Sequence, residues 1–338
     1  MRQKYIKWLV FTLVLMLLMV LAALLSITMG EANISVKDIF PLLKQKEGME
    51  YFILTELRMP RVVLAFAVGG SLSLAGVILQ GVFRNPLVEP YTLGISGGAA
   101  VGVALVIVLG LQLSIGTALL PIAGFVGAIF ALTLVGILGF FKGGVEINKM
   151  LLIGVMISFV ASSTMMLLMS ITTTENLRGI IFWMMGSLDE SNGYLIKTVF
   201  YTSLAGLIIS YLFDRPLNAL LLGEAKASHL GVNSKTTIRI LFVVASLLTG
   251  ICVSVTGVIG FVGLVIPHFI RLLAGSDYRF LLIGSFLGGG IFLTLCDVVA
   301  RTIISPNELP IGVITGIAGG ILFIIVLNQV RKRELHGL

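Results

Sequence analysis

The stretch RMPRVVLAFAVGGSLSLAGVILQGVFRNPLVEPYTLGISGGAAVG, residues 58–102, decides the fold. Between Arg61 and Arg84 it contains no ionisable side chain. That run meets the roughly 20 apolar residues a helix needs to cross the hydrocarbon of a bilayer. Asn85-Pro86 and Pro90 then close it, because proline lacks an N–H and disfavours helix at the residue before it. A second apolar run starts near residue 92. Two such runs back to back, with no polar face on either, describe a chain solvated by lipid.

The rest of the sequence agrees. Apolar residues make up 57% of the 338 and charged residues 12%, where a soluble domain carries about 25% charged. Breaks at charges and at Gly, Pro and Asn clusters give about ten helices, over 8–29, 61–82, 92–110, 115–140, 150–170, 194–213, 238–257, 259–274, 280–301 and 310–328. The expectation is an all-α membrane protein forming one polytopic domain over 1–338. The longer connections are 30–60, 171–193 and 214–237.

Lysine and arginine set the orientation, because cytoplasmic loops hold the excess of both. Arg2, Lys4 and Lys7 precede the first run, Arg215, Lys226, Lys235 and Arg239 surround 214–237, and Arg331, Lys332 and Arg333 follow the last. Both termini and the 214–237 loop are therefore expected in the cytoplasm, with 30–60 and 171–193 outside. The net charge of +7 reads as topology rather than as a nucleic-acid surface. The apolar run after Lys7 exceeds a signal-peptide core and reads as an uncleaved first span.

Few residues stand out from the lipid-facing background. Gly69, Ser73, Gly76 and Gln80 share one face of the second span. Small residues there allow close helix packing, and the same stripe could line a path. Gln80 differs, because an amide in lipid needs partners. Gly154, Ser158 and Ser162 in the fifth span, and Gly312, Gly316 and Gly320 in the tenth, read as helix seams. Asp297 lies four residues before Arg301, a spacing that allows an ion pair, and a carboxylate at that depth needs one. Cys252 and Cys296 sit in apolar runs and provide neither a disulfide framework nor a metal site.

No GxxxxGK[ST] phosphate loop and no HExxH occurs. Active transport would draw its energy from a partner or from an ion gradient. A carrier working alone on a gradient would rest on Asp297, and that scarcity of buried carboxylates favours a partner. An intramembrane enzyme or an assembly scaffold is the remaining reading.

The stretches 58–102, GVIGFVGLVIPHFIRLLAGSDYRFLLIGSFLGGG (257–290) and DVVARTIISPNELPIGVITGIAGG (297–320), together with WMMGSL (183–188) and LGEAKASHLGV (222–232), resemble the FecCD-type permeases of vitamin B12, haem and ferric-siderophore importers. The resemblance covers residues 58–328. It implies the type II ABC importer fold: two permease copies, two cytoplasmic ATPases that carry ATP and Mg, and an external substrate-binding protein, in a bacterial inner membrane. It implies that Arg58, Arg61 and Arg301 dock acidic residues of the binding protein. Leu222, Gly223, Glu224, Ala225, Ser228, His229, Leu230 and Gly231 would couple to the ATPase. Asn85, Pro86 and Leu87 fall in the inner gate region, Trp183 and Met184 on a short external helix at the rim. Gly143 and Gly144 replace the bulkier residues of the family's second gate strand. The expected path lies between the second, fifth and tenth helices, past Gln80, Ser158 and Ser162. Ferric siderophore leads as cargo, with haem, cobalamin or an oxyanion as alternatives. No cofactor or metal bound by the chain itself is expected.

Overall fold

The computed structural model describes residues 2–30, 34–139 and 147–335, with side chains from residue 4 to residue 325. Gly143 and Gly144 lie outside the described residues. Among the described residues sixteen helices follow one another: α1 Arg2–Thr28, α2 Val36–Gln45, α3 Met49–Phe52, α4 Met59–Phe83, α5 Ile95–Val108, α6 Leu111–Ile115, α7 Leu119–Gly139, α8 Ile147–Ile171, α9 Thr174–Met185, α10 Gly193–Tyr211, α11 Asp214–Leu220, α12 Glu224–His229, α13 Ser234–Thr256, α14 Val262–Ala274, α15 Tyr278–Thr302 and α16 Ile311–Leu335. A π-helical turn, Ile53–Arg58, joins α3 to α4, and a 3-10 turn, Pro90–Leu93, precedes α5. No strand occurs among the described residues.

Among the described residues seven helices are long and apolar enough to cross a membrane, and α5, α14 and Ile311–Ile325 of α16 are shorter apolar helices. Every one of the ten apolar runs of the sequence falls on one of them. The connections are more helical than their composition suggests. Residues 30–60, read from the sequence as a loop, hold α2, α3 and the π turn, so that Met49–Phe83 runs as 35 continuous helical residues. Glu50, Glu56, Arg58 and Arg61 interrupt the apolar pattern without interrupting the helix. Within 171–193, Thr173 caps α9 by accepting from the backbone N of Asn176 (3.3 Å), and Gly186, at φ +74°, ends it.

The centre of the bundle is α4. Of its apolar window 89% is buried within the subunit, against 22% for α8. Neighbours α10, α13, α14 and α15 surround it. Glycine makes this possible: a Cβ on Gly69 would strike the Gly289 carbonyl of α15, one on Gly289 would strike that of Gly69, and one on Gly76 would strike Gly263 of α14. The Gly69–Ser73–Gly76 stripe is thus a packing seam. In α8, Gly154 packs on Leu93 and Thr92, Ser158 is half-buried near Gly97 with its hydroxyl donating back to the Gly154 carbonyl (3.0 Å), and Ser162 is exposed. In α16, Gly312 packs against the Met185 and Val258 carbonyls, while Gly316 and Gly320 meet nothing within 4 Å. The outer halves of both small-residue patterns are not seams within one subunit.

Candidate functional site

Two polar regions cap opposite ends of α4, from Arg58 to Arg84. That stretch is about 39 Å long at 1.5 Å per residue, enough to cross the roughly 30 Å hydrocarbon layer.

At the first end, Asp297 is fully buried and holds two arginines. Arg61 donates Nε to its Oδ1 at 2.8 Å, and Arg301, one turn along α15, donates Nε to its Oδ2 at 3.0 Å. The expected Asp297–Arg301 pair is present, and Arg61 joins it from α4. Both arginines make a further polar contact. Arg301 Nη2 donates to the Ser26 hydroxyl (2.9 Å) and carbonyl (3.1 Å), which ties α15 to α1. Arg61 Nη1 reaches Glu308 at 2.9 Å. Arg58, turned inward by the π turn, donates to the Ile27 carbonyl at 2.6 Å and is 6% exposed. The three guanidinium groups thus converge on the end of α1 and on the loop between α15 and α16. A buried ion pair alone is weak support for a fold, but removing one partner from it is costly. Two small clefts open here, of about 220 and about 260 Å³, and Arg61 and Glu308 line both.

At the other end, 214–231 folds as α11 and α12, broken at Gly223 (φ +98°) and closed at Gly231 (φ +82°). Leu221, Leu222 and Leu230 stand exposed, as do Ala225, Ser228 and His229. Beneath them Leu217, Leu220 and Ala227 are buried and fix both helices to the bundle. Arg84 caps α4 in the left-handed region (φ +50°) and reaches Glu224 at 3.5 Å. Asn85, Pro86 and Leu87 form a tight turn beside it. The Asn85 side chain accepts from the backbone N of Leu87 (3.0 Å), and Leu87 is exposed. Arg84, Glu224, Asn148 and Lys149 line a cleft of about 490 Å³.

A polar chain ties this end to the core. Gln80 is 3% exposed; its amide donates to the Gly263 carbonyl (3.2 Å) and its oxygen accepts from Arg271 (3.1 Å). It is a clamp between α4 and α14. Asn218 of α11 donates to Asp277 and accepts from the backbone N of Tyr278, both at 3.1 Å. Asp277 also pairs with Lys4 at 3.1 Å. Burial alone would raise the Asp277 carboxyl, but the hydrogen bonds from Lys4, Arg279 N and Asn218 and the charge of Lys4 hold it below its ordinary value.

Several linking residues are not visible in the sequence. Tyr91 donates to the Ile259 carbonyl (2.7 Å) and accepts from its N–H (3.1 Å). Glu89 accepts from the N–H of Phe261, a non-glycine residue at φ +69°. Burial raises the Glu89 carboxyl, and that N–H opposes the rise. These contacts bridge residues far apart in the chain, so no local spacing announces them. Gly94-Ile95-Ser96-Gly97-Gly98 has the G-x-S-x-G spacing of hydrolases. Its glycines instead seat α5, Gly97 against Ala161 and Gly98 against the Gly127 carbonyl. Trp183 is half-buried against the core and Met184 is exposed on α9. Among the described residues no group of three or more His, Cys, Asp or Glu side chains is placed to hold a metal ion.

Residues 17–329 match the FecCD transport family. The chain belongs to it. The FecCD chain is 37% identical to the hemin transport system permease protein HmuU of Yersinia pestis, over 95% of this chain and 96% of that one. It is 35% identical to the vitamin B12 import system permease protein BtuC of Shigella boydii, over 98% of each. A solved structure described as a metal-chelate type ABC transporter in an inward-facing conformation superposes with a TM-score of 0.83 at 32% identity, covering 95% of this chain and 99% of that one. This FecCD protein is a multi-pass membrane permease subunit of an ABC importer, with the type II importer fold. Permeases of this family are transport components, not enzymes, and act with ATPase subunits and a binding protein.

Proposed function

We propose that two copies of this permease form the path of an importer for an intact metal chelate, with haem ahead of ferric siderophore and cobalamin. The observation that carries the reading is the pairing of two unlike ends on one buried helix. The arginine cluster at the start of α4 offers cations to a binding protein outside. The exposed leucines that follow α11 and α12, Leu221, Leu222 and Leu230, at the far end of α4, offer an apolar docking surface to an ATPase inside. Charge complementarity at the first end would steer the encounter and set its register. Exposed faces of α8 and α16, with Ser162, Gly316 and Gly320, would meet the second copy or line the path between copies.

Haem is placed first because a hemin permease is among the relatives that match nearly the whole chain. B12 permeases match it almost as well, so cobalamin stays as the second reading. The siderophore expected from the sequence has no counterpart in those names. The test is uptake into proteoliposomes holding the permease, its ATPase and its binding protein, with haemin, cyanocobalamin and a ferric hydroxamate compared at equal concentration. ATP-dependent uptake of haemin alone supports the order given. Uptake of one of the others alone replaces it.

A further inference from the structure

We propose that Glu308 is a stand-in carboxylate, holding the outer edge of Arg61 until an acidic side chain of the binding protein displaces it. The proposal rests on the docking reading of the arginine end. Arg61 splits its guanidinium between two carboxylates of different standing. Nε is committed to Asp297, which is fully buried, at 2.8 Å. Nη1 meets Glu308 at 2.9 Å, and the Glu308 side chain is 47% exposed. The first bond belongs to the core, whereas the second lies within reach of solvent.

The surroundings fit an exchange. Glu308 stands on the connection between α15 and α16, where residues 302–308 are all exposed. The two clefts flank the Arg61–Glu308 contact, so a carboxylate can approach the guanidinium edge from either side while Asp297 keeps the stem in place. An arginine fork donates to carboxylates edge-on, and replacing one by another conserves charge at the buried end. Asp297 keeps its bonds to both Arg61 and Arg301 when Glu308 leaves, so the exchange does not undo the buried pairs. Three residues after Glu308 the chain enters α16, whose Gly312 packs on the Met185 and Val258 carbonyls. With Leu309 N–H bonded to the Ala300 carbonyl at 2.9 Å as well, the exchange moves the Glu308 side chain and leaves the start of α16 in place.

The experiment is a binding titration of the cognate, substrate-free binding protein on the full transporter in lipid nanodiscs, comparing wild type, Glu308→Gln, Arg61→Gln and the double variant. Losing the competitor should tighten binding about threefold to fivefold in the wild-type background and change nothing in the Arg61→Gln background, as expected for one partly exposed pair. Equal tightening in both backgrounds would mean a general charge effect and overturn the proposal. So would unchanged or weaker binding by Glu308→Gln while Arg61→Gln weakens it. Unchanged binding by Arg61→Gln would instead remove Arg61 from the docking face, and the proposal with it. Arg61→Lys, which keeps a cation on Asp297 but has no fork, replaces Arg61→Gln if that variant does not assemble.

Discussion

Gly76 of α4 and Gly263 of α14 lie backbone against backbone, with no room for a Cβ on Gly76 and little on Gly263, whose Cβ would sit 2.7 Å from the Leu72 carbonyl. Between helices in lipid, where apolar side chains gain nothing by leaving solvent, such close approach is a main source of association. Gly76→Ala is expected to push the two helices apart at a cost of about 1–3 kcal/mol, lowering the melting temperature of the purified permease. Gly179→Ala on α9 adds its methyl where no atom lies within 4 Å and is expected to melt no lower than the wild type. Equal melting of both variants would refute the seam.

Asp297→Asn tests the arginine end. Arg61 and Arg301 both rely on this one carboxylate, and both side chains are largely buried, 13% and 8% exposed. Removing one partner from a buried ion cluster costs about 3–5 kcal/mol. The expected result is poor expression or a much lower melting temperature, with no new dependence of ATP-driven uptake on a proton gradient. A stable variant that loses only gradient-coupled uptake would support a carrier working on its own.

How much of this was legible varied with the range of the interaction. The ten apolar runs follow from composition alone, because lipid leaves no other way to solvate such segments. The Asp297–Arg301 pair follows from helical spacing. Gln80 was legible as an amide needing partners, but the partners themselves, Gly263 and Arg271, lie on α14 and no spacing near Gln80 reveals them. Residues 49–58 read as loop because Glu50, Glu56 and Arg58 break the apolar pattern, although charge does not stop a helix once it leaves the hydrocarbon. The stripe Gly69–Ser73–Gly76 reads in sequence as a packing face first and a path second, and the neighbouring backbones of Gly289 and Gly263 make it a seam.

The α11–α12 surface makes a different prediction, because its residues are exposed. Leu222 is 57% and Leu230 is 64% exposed, so changing them removes little from the fold. Leu222→Glu and Leu230→Glu are expected to leave melting within about 0.5 kcal/mol of wild type, as for other surface substitutions. If this surface seats the ATPase, each should weaken co-purification of the ATPase at least about tenfold, equivalent to about 1.4 kcal/mol. Retained ATPase binding by both would move the docking surface elsewhere. The neighbouring Arg84–Glu224 contact is partly exposed, 41% and 36%, and its loss alone is expected to change stability little.

The last prediction concerns acid. Asp277 sits between α14 and α15 and gathers Lys4 of α1, Asn218 of α11 and the backbone N of Arg279. Its carboxyl is held below the ordinary value of 3.8. A carboxylate whose folded pKa lies below its unfolded one stabilises the fold above the unfolded value, and that support is lost as pH falls through the folded value. Asp277→Asn is therefore expected to melt below wild type at pH 7, and the gap should close as pH falls below about 4, where the unfolded carboxyl already takes up its proton. Lys4→Met should act in the same direction and less strongly, because Lys4 is itself 59% exposed and Asn218 and Arg279 remain on the carboxylate. Melting curves between pH 3 and pH 7 measure this directly. A gap that stays constant across the range would show that Asp277 contributes through its hydrogen bonds in either protonation state, and that its charge does not hold α1 to the α14–α15 turn.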